Sequence, residues 1–232
     1  MQRASRKTRP VKITFVLPLL LSALLLGACA RHHHPAPPTA ASVGVSGQSA
    51  APAAVRLQQW IVPPGKYGRR IQFPLRAQYV TIHSTGNRAA TAAQHASGMA
   101  RGAFRGRTKW NRTGYMTWHF TVDDQVAIQS LPLNTQGEHA DHDGPGNNTS
   151  IAIEICEFRD PRRQAAALER AARLTAWLLR DRGIPLDHVV PHYHWPQWHF
   201  HGYQKNCPRI LLEGGRPGPR WDAFLRKVDG YR

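Results

Sequence analysis

The chain has 232 residues, with 31 Lys and Arg against 14 Asp and Glu, and a formal net charge of +17. Hydrophobic residues make up 41% and include seven Trp and seven Phe, which excludes a fully disordered chain because such side chains can build a core. Three Cys exclude a disulfide scaffold. The charge is uneven, because no acid precedes Asp123. Residues 1–122 contain 17 basic side chains, whereas residues 123–232 contain 14 of each sign.

The first 28 residues predict an export signal. Basic side chains precede an apolar run over residues 13–26, which is shorter than the roughly 20 residues that a spanning helix needs. The run ends in LGAC, and this end resembles the lipobox of bacterial lipoproteins, in which the Cys, here Cys29, becomes the lipidated first residue. A cleaved ordinary signal with an incidental Cys is the alternative. Ala30 favours the outer membrane, so we expect a lipid anchor on its periplasmic face.

A low-complexity tether follows at residues 29–58. It is rich in Pro, Ala and Ser and cannot bury enough apolar surface to offset chain entropy. Its three consecutive His, residues 32–34, are expected to be solvated linker rather than a loose metal site. Residues 59–232 remain for one domain with a core of its own.

Hydrophobic periodicity and turn signals predict the elements of this domain in chain order. Strands are predicted at residues 79–83, 115–122, 126–131, 151–156 and 189–190. Helices are predicted at residues 91–99, 163–182 and 219–228. Two loops stand out, the basic loop at residues 101–112 and the polar loop at residues 134–149. Strands that alternate with helices predict an α/β fold, with a mixed central β-sheet flanked by helices.

Three residues have the chemistry of metal ligands. His83 and His192 each stand at the end of a predicted strand, and Cys207 lies in the sequence KNCP. Two imidazoles and one thiolate supply three ligands and leave a position for water, which is the layout of a catalytic zinc. The alternative is three unrelated residues, with Cys207 as a small buried hydrophobe.

Several short segments, in collinear order, resemble the zinc-dependent N-acetylmuramoyl-L-alanine amidases, the class that includes phage lysozymes and peptidoglycan-recognition proteins. The resemblance covers roughly residues 77–212. The matching segments are residues 79–87 (YVTIHSTGN), 118–124 (WHFTVDD), 131–134 (LPLN), 138–140 (EHA), 147–156 (NNTSIAIEIC), 189–192 (VVPH) and 205–208 (KNCP).

The resemblance implies a Zn²⁺ site formed by His83, His192 and Cys207. It also implies that Glu154 is the general base that activates the attacking water, and that Lys205 stabilises the developing oxyanion. The alternatives are a buried ion pair between Glu154 and an Arg, and a surface position for Lys205.

The resemblance further implies substrate contacts by Asn87 and His139. The chain departs from the family pattern at Trp118, where some members have a catalytic Tyr. It also departs at Glu138 and Ala152, where Trp and Gly are frequent.

The spacing between the second His and the Lys is the largest departure. Many relatives have a shorter stretch there, and counting back from Lys205 by that shorter spacing reaches His199. His199 is therefore a rival ligand, but we prefer His192 because a strand end holds a ligand rigidly. The extra residues, 193–204, are predicted to form an aromatic loop near the cleft that stacks on sugar or peptide.

These features together predict hydrolysis of the amide bond between N-acetylmuramic acid and L-alanine in peptidoglycan or its fragments. A non-catalytic peptidoglycan-binding module is the alternative. The expected partners are peptidoglycan or muropeptides, and the membrane through the lipid anchor. The basic loop suggests nucleic acid as well, but the export signal disfavours it. We expect a monomer without a disulfide, in which Cys156 is a packing residue.

Overall fold

The computed structural model describes residues 50–232. The predicted signal, the lipidation at Cys29 and the three His of the tether lie outside the described residues. Over residues 50–232, no helix combines the length and the apolar composition that crossing a membrane requires.

A six-stranded mixed sheet forms the centre of the domain. Its strands are β1 (Leu57–Gln59), β2 (Tyr79–Ser84), β3 (Phe120–Val122), β4 (Ala127–Gln129), β5 (Ser150–Ile155) and β6 (Val189–Pro191). Their order is β1-β4-β3-β5-β2-β6, and every neighbouring pair is parallel except the β3–β4 hairpin. The α/β fold with a mixed sheet that the sequence predicts is confirmed.

Within residues 50–232, four α-helices accompany the sheet, namely α1 (Ala92–Ala100), α2 (Pro145–Thr149), α3 (Pro161–Arg182) and α4 (Pro219–Asp229). Local sequence signals set their ends. Thr91 forms a capping box with Gln94 at the start of α1. Asp160 accepts hydrogen bonds from the first turn of α3, and Gly183 ends that helix with a φ of 64°.

The two faces of the sheet differ in chemistry because side chains alternate along each strand. On one face, isoleucines such as Ile82, Ile153 and Ile155 are fully buried and belong to the main core, together with Leu174 and Leu178 of α3. The opposite face carries the polar residues of the same strands. This polar face positions the candidate site.

Three predictions about boundaries need correction. The strand predicted at residues 115–122 is limited to β3, since residues before it face loops and make only isolated bridges, such as Thr117 with Glu138. The polar loop contains the short helix α2. The domain begins before residue 59, because Val55 is fully buried in the core and β1 pairs with β4.

Asp124, in the hairpin turn, provides a test of how the fold depends on pH. Arg163 of α3 donates two hydrogen bonds of 2.9 Å to its carboxylate, and these hydrogen bonds lower the pKa of Asp124. Because the pKa of Asp124 is lower in the folded state than in the unfolded state, the ion pair stabilises the fold at pH values above the ordinary Asp pKa of about 4. The contribution is lost as the pH falls through the lower folded-state pKa.

We expect Asp124→Asn to lower the melting temperature by a few degrees at neutral pH, and the difference from the parent protein to shrink below about pH 4. Thermal denaturation across pH measures this. Asp229→Asn is the control, because Asp229 is 58% exposed and pairs with Arg232 near the chain end. If the melting temperature of Asp124→Asn stays below that of the parent protein by the same amount down to about pH 2, the ion pair is not the cause of the difference.

Candidate metal centre and active site

Three parallel strands bring the first site residues to one edge of the sheet. His83 near the end of β2 is the register partner of Glu154 on β5, so both side chains lie on the same face. Ile82 pairs with Pro191, the last residue of β6, and His192 follows at once. Because parallel strands end at the same edge, the three residues converge there.

Cys207 reaches this edge through the return of the aromatic loop. The backbone N–H of Tyr193 donates to the carbonyl of Cys207 at 2.9 Å, so the chain closes on itself just after His192. The thiol Sγ of Cys207 lies 3.8 Å from Nδ1 of His83.

His83, His192 and Cys207 form a group that could hold a metal ion. Their ligand atoms all lie within 4.8 Å of one another, and no other group of His, Cys, Asp or Glu within residues 50–232 meets this criterion. Nε2 of His192 is buried and has no hydrogen-bond partner. Two imidazole nitrogens and a thiol are the donor set that suits zinc. These residues therefore fit a tetrahedral transition-metal ion.

Burial keeps both histidines of this group neutral. Burial lowers the pKa of His192 to about 3. The pKa of His83 lies well below its ordinary value, first because of burial and then because His192, His139 and Lys205 are close. Both imidazoles are thus neutral, which is the ligating form. Burial raises the pKa of the Cys207 thiol to about 12, and a bound cation would favour its thiolate.

Two further histidines, His139 and His119, lie behind the candidate ligands, and His139 contacts His83 directly. Nε2 of His83 lies 3.1 Å from Nδ1 of His139, and Asn147 holds the backbone of His139 by accepting its N–H at 2.9 Å. Nδ1 of His119 accepts from the N–H of Ala152, so its Nε2 donates to the carbonyl of Thr135. Partners of this kind fix the tautomer and ring orientation of a ligating His.

The Glu154 side chain is 16% exposed and, among residues 50–232, has no ion-pair partner of opposite fixed charge. Its Oε1 lies 3.9 Å from Nδ1 of His83, its Oε2 is buried with no hydrogen-bond partner, and burial raises its pKa to about 8. Arg209, two residues after Cys207, instead pairs with Glu157. The alternative of an ion pair between Glu154 and an Arg therefore has no support among residues 50–232, and the carboxylate is free to exchange protons.

A cleft of about 360 Å³ opens beside these residues. His139 and Lys205 line it, with Asn147 at its base and residues of the basic loop and the aromatic loop forming its walls. Lys205 is exposed, and its charge acts on Glu154, His192 and Cys207.

Three predicted residues lie elsewhere. Asn87 is exposed in a turn after β2, where its Oδ1 accepts from the N–H of Ala89, and it does not line the cleft. Its contact with substrate stays a prediction. His199 is outside the His–His–Cys group and pairs with Asp143 at 3.0 Å. Cys156 is fully buried in the main core, and its thiol is free, as is that of Cys207.

The structure also explains two departures from the family pattern. Trp118 is 4% exposed and donates from Nε1 to Thr121 at 2.7 Å, so it is a packing residue here. Glu138 lies buried in the cleft wall, where Arg112 of the basic loop donates to its carboxylate. Burial raises the pKa of Glu138 even though Arg112 acts in the opposite direction.

The fold and the site define a class: an α/β domain with a candidate His–His–Cys metal centre, an adjacent carboxylate, and a neighbouring cleft lined by His139 and Lys205. The chain belongs to the N-acetylmuramoyl-L-alanine amidase family, whose family profile matches residues 73–210. The relatives include N-acetylmuramoyl-L-alanine amidase XlyA of Bacillus subtilis, which is 37% identical over 179 residues, 76% of this chain and 52% of the relative. CwlH of the same organism is 35% identical over 173 residues, 71% of this chain and 58% of the relative.

Solved structures extend the likeness to three dimensions. The catalytic domain of XlyA matches with a TM-score of 0.60 and 36% identity, over 75% of this chain and 99% of that domain. PlyL matches with a TM-score of 0.58 and 28% identity, over 75% of this chain and 96% of PlyL. The chain spans just over half the length of the two curated amidases, which are 52% and 58% covered.

The buried pair of Arg112 and Glu138 can be tested by a double-mutant cycle. We expect Arg112→Met to lower the free energy of unfolding by about 3 kcal/mol, because it leaves a buried carboxylate without its counter-charge. Adding Glu138→Gln should restore much of that loss. Arg107→Met, at an exposed position of the same loop, is the control. Equal losses in the single and double variants, measured by urea denaturation, would show that the pair is not coupled.

Proposed function

We propose that the protein hydrolyses the amide bond between N-acetylmuramic acid and L-alanine in peptidoglycan, with zinc as its cofactor. One observation carries the proposal: the carboxylate of Glu154 lies 3.9 Å from His83 of the His–His–Cys group, and His139, which contacts His83, lines the neighbouring cleft. Family membership and the likeness to the catalytic domain of XlyA support the choice of substrate bond.

His83, His192 and Cys207 would hold the zinc. When bound, the ion supplies Lewis acidity, which lowers the pKa of water and polarises a carbonyl. The residues around it prepare the ligands for this role. The contact with His139 occupies Nε2 of His83 and leaves Nδ1, which faces Cys207, as the ligating atom.

Glu154 is the proton carrier in this mechanism. As a carboxylate it takes a proton from the attacking water, and as a carboxylic acid it passes that proton to the departing amine of L-alanine. Its surroundings suit both roles, because burial raises its pKa to about 8, close to neutral pH, and no Arg holds it in the ionised form.

Lys205 stabilises charge on the reacting carbonyl. Its ammonium lies in the cleft lining, and its field reaches the His–His–Cys group and Glu154. A fixed positive charge that faces a developing oxyanion lowers the barrier without reorganisation at the moment of reaction.

A module that only binds peptidoglycan is less well supported. Such a module has no use for an unpaired buried carboxylate, whose burial costs several kcal/mol. The complete set of His83, His192, Cys207, Glu154 and Lys205 therefore favours catalysis.

We also propose that the enzyme acts in the cell envelope, in turnover or remodelling of the cell wall. The sequence LGAC before residue 30 supports lipidation of Cys29, and the tether would let the domain reach peptidoglycan from a membrane surface.

The metal site leads to a first prediction. We expect the purified protein to bind one zinc ion per chain, and His192→Ala to lose most of it. His199→Ala is the matched control and should keep the metal, because His199 contacts Asp143 and Trp110 instead. Metal analysis by mass spectrometry measures both. Loss of zinc in His199→Ala with retention in His192→Ala would reverse the ligand assignment.

The role of Glu154 leads to a second prediction. We expect Glu154→Gln to reduce the release of stem peptide from sacculi by about 10²–10⁴-fold, because the amide cannot accept the proton of water. Zinc content and melting temperature should stay close to those of the parent protein. Undiminished release by this variant would rule out the mechanism.

A further inference from the structure

The aromatic loop, residues 193–204, has an unusual composition. It contains no Val, Leu, Ile or Met and no acid, and consists of rings together with hydrogen-bonding side chains such as Gln197 and Gln204. Rings with polar edges present both a flat apolar face and hydrogen-bonding groups.

The base of the aromatic loop is fixed to the domain. Trp195 is 4% exposed, and its Nε1 donates to Oγ1 of Thr81 at 2.9 Å. Gln197 is 3% exposed and donates to the carbonyl of Ala140 at 2.7 Å. These two anchors hold the loop beside the polar face of the sheet.

The tip of the aromatic loop is exposed at the cleft. The exposed fractions are 68% for Trp198, 43% for Phe200 and 60% for Tyr203, and the last two line the cleft. Within residues 50–232, six large hydrophobic side chains are strongly exposed: Ile71, Trp110, Met116, Trp198, Phe200 and Tyr203. Met116, Phe200 and Tyr203 line the cleft, Trp198 is in the aromatic loop, and Trp110 stacks on His199 of that loop. Only Ile71 lies apart, and such a concentration of exposed apolar side chains marks a binding surface.

One stacked pair joins this loop to the opposite side of the cleft. The ring of His199 lies 4.1 Å from that of Trp110, with an angle of 9° between the planes, and His199 also contacts Asp143. The basic loop, the polar loop and the aromatic loop therefore meet at one end of the cleft. The loop is therefore anchored at Trp195, Gln197 and His199, which lowers the backbone entropy that binding costs.

We propose that Trp198 and Tyr203 form a glycan-binding subsite, on which sugar residues next to the reacting muramic acid stack. This inference rests on the proposed amidase function, since it assigns the rest of the substrate to the surface that continues from the active-site cleft. The apolar face of a pyranose ring stacks on an indole or phenol ring, while its hydroxyl groups require polar partners. The subsite favours glycan strands over free muropeptides.

The test separates sugar binding from catalysis. Isothermal titration with a soluble β-1,4-linked N-acetylglucosamine oligomer, which lacks a stem peptide, measures binding to the full chain. We expect Trp198→Ala and Tyr203→Ala each to weaken binding about ten-fold, because each removes one stacked ring. Trp198→Phe and Tyr203→Phe keep a ring and should keep most of the affinity. Ile71→Ala, an exposed apolar side chain outside the cleft, is the matched control.

Several outcomes would overturn the proposal. No binding of the oligomer by a protein that releases stem peptide from sacculi would refute the subsite and leave the amidase function intact. Equal losses in the control and the ring-deleted variants would refute it too. Binding to anionic phospholipid vesicles that depends on Trp198 and Tyr203, without binding of the oligomer, would assign the rings to a membrane. Oligomer binding without any hydrolysis of sacculi would instead count against the amidase function.

Discussion

The parallel register between β2 and β5 is the constraint on which the rest of the domain depends. It sets Ile82 beside Ile153 on the face that packs against α3, and His83 beside Glu154 on the opposite face. A slip of one residue in β5 would turn Glu154 toward the apolar core and separate it from His83. The free energy that stabilises the core therefore also fixes the distance between His83 and Glu154.

The sequence predicts the parts of the molecule that depend on periodicity or on strand ends. The strand around Ile153 and the helix that ends at Gly183 were predictable because local patterns determine both. The proximity of His83 and Glu154 depends on strand order, which periodicity does not encode, and only the resemblance to a family brought them together. The contact between Arg112 and Glu138 joins two irregular loops that are 26 positions apart in the sequence, and no local sequence pattern predicts it.

Buried polar side chains outside the candidate ligand set do much to shape the site. His119 is fully buried, and its two ring nitrogens bond the backbone on either side. Burial lowers its pKa to about 4, so it stays neutral and keeps one tautomer. Asn147 is 1% exposed and accepts from the backbone of both His139 and Ala140. These residues were not predicted as functional because a buried Asn or His gives no signal without its partners.

The long insertion between His192 and Cys207 does not disturb the candidate metal centre, for a simple physical reason. Both ends of the insertion are fixed independently of its length, one by β6 and the other by the hydrogen bond from Tyr193 to the carbonyl of Cys207. Lengthening a loop between fixed ends changes its closure entropy only slowly. Residues between these ends can therefore alter what the cleft binds while the spacing of the ligands stays the same. The aromatic loop can therefore vary in sequence while the candidate metal ligands keep their positions.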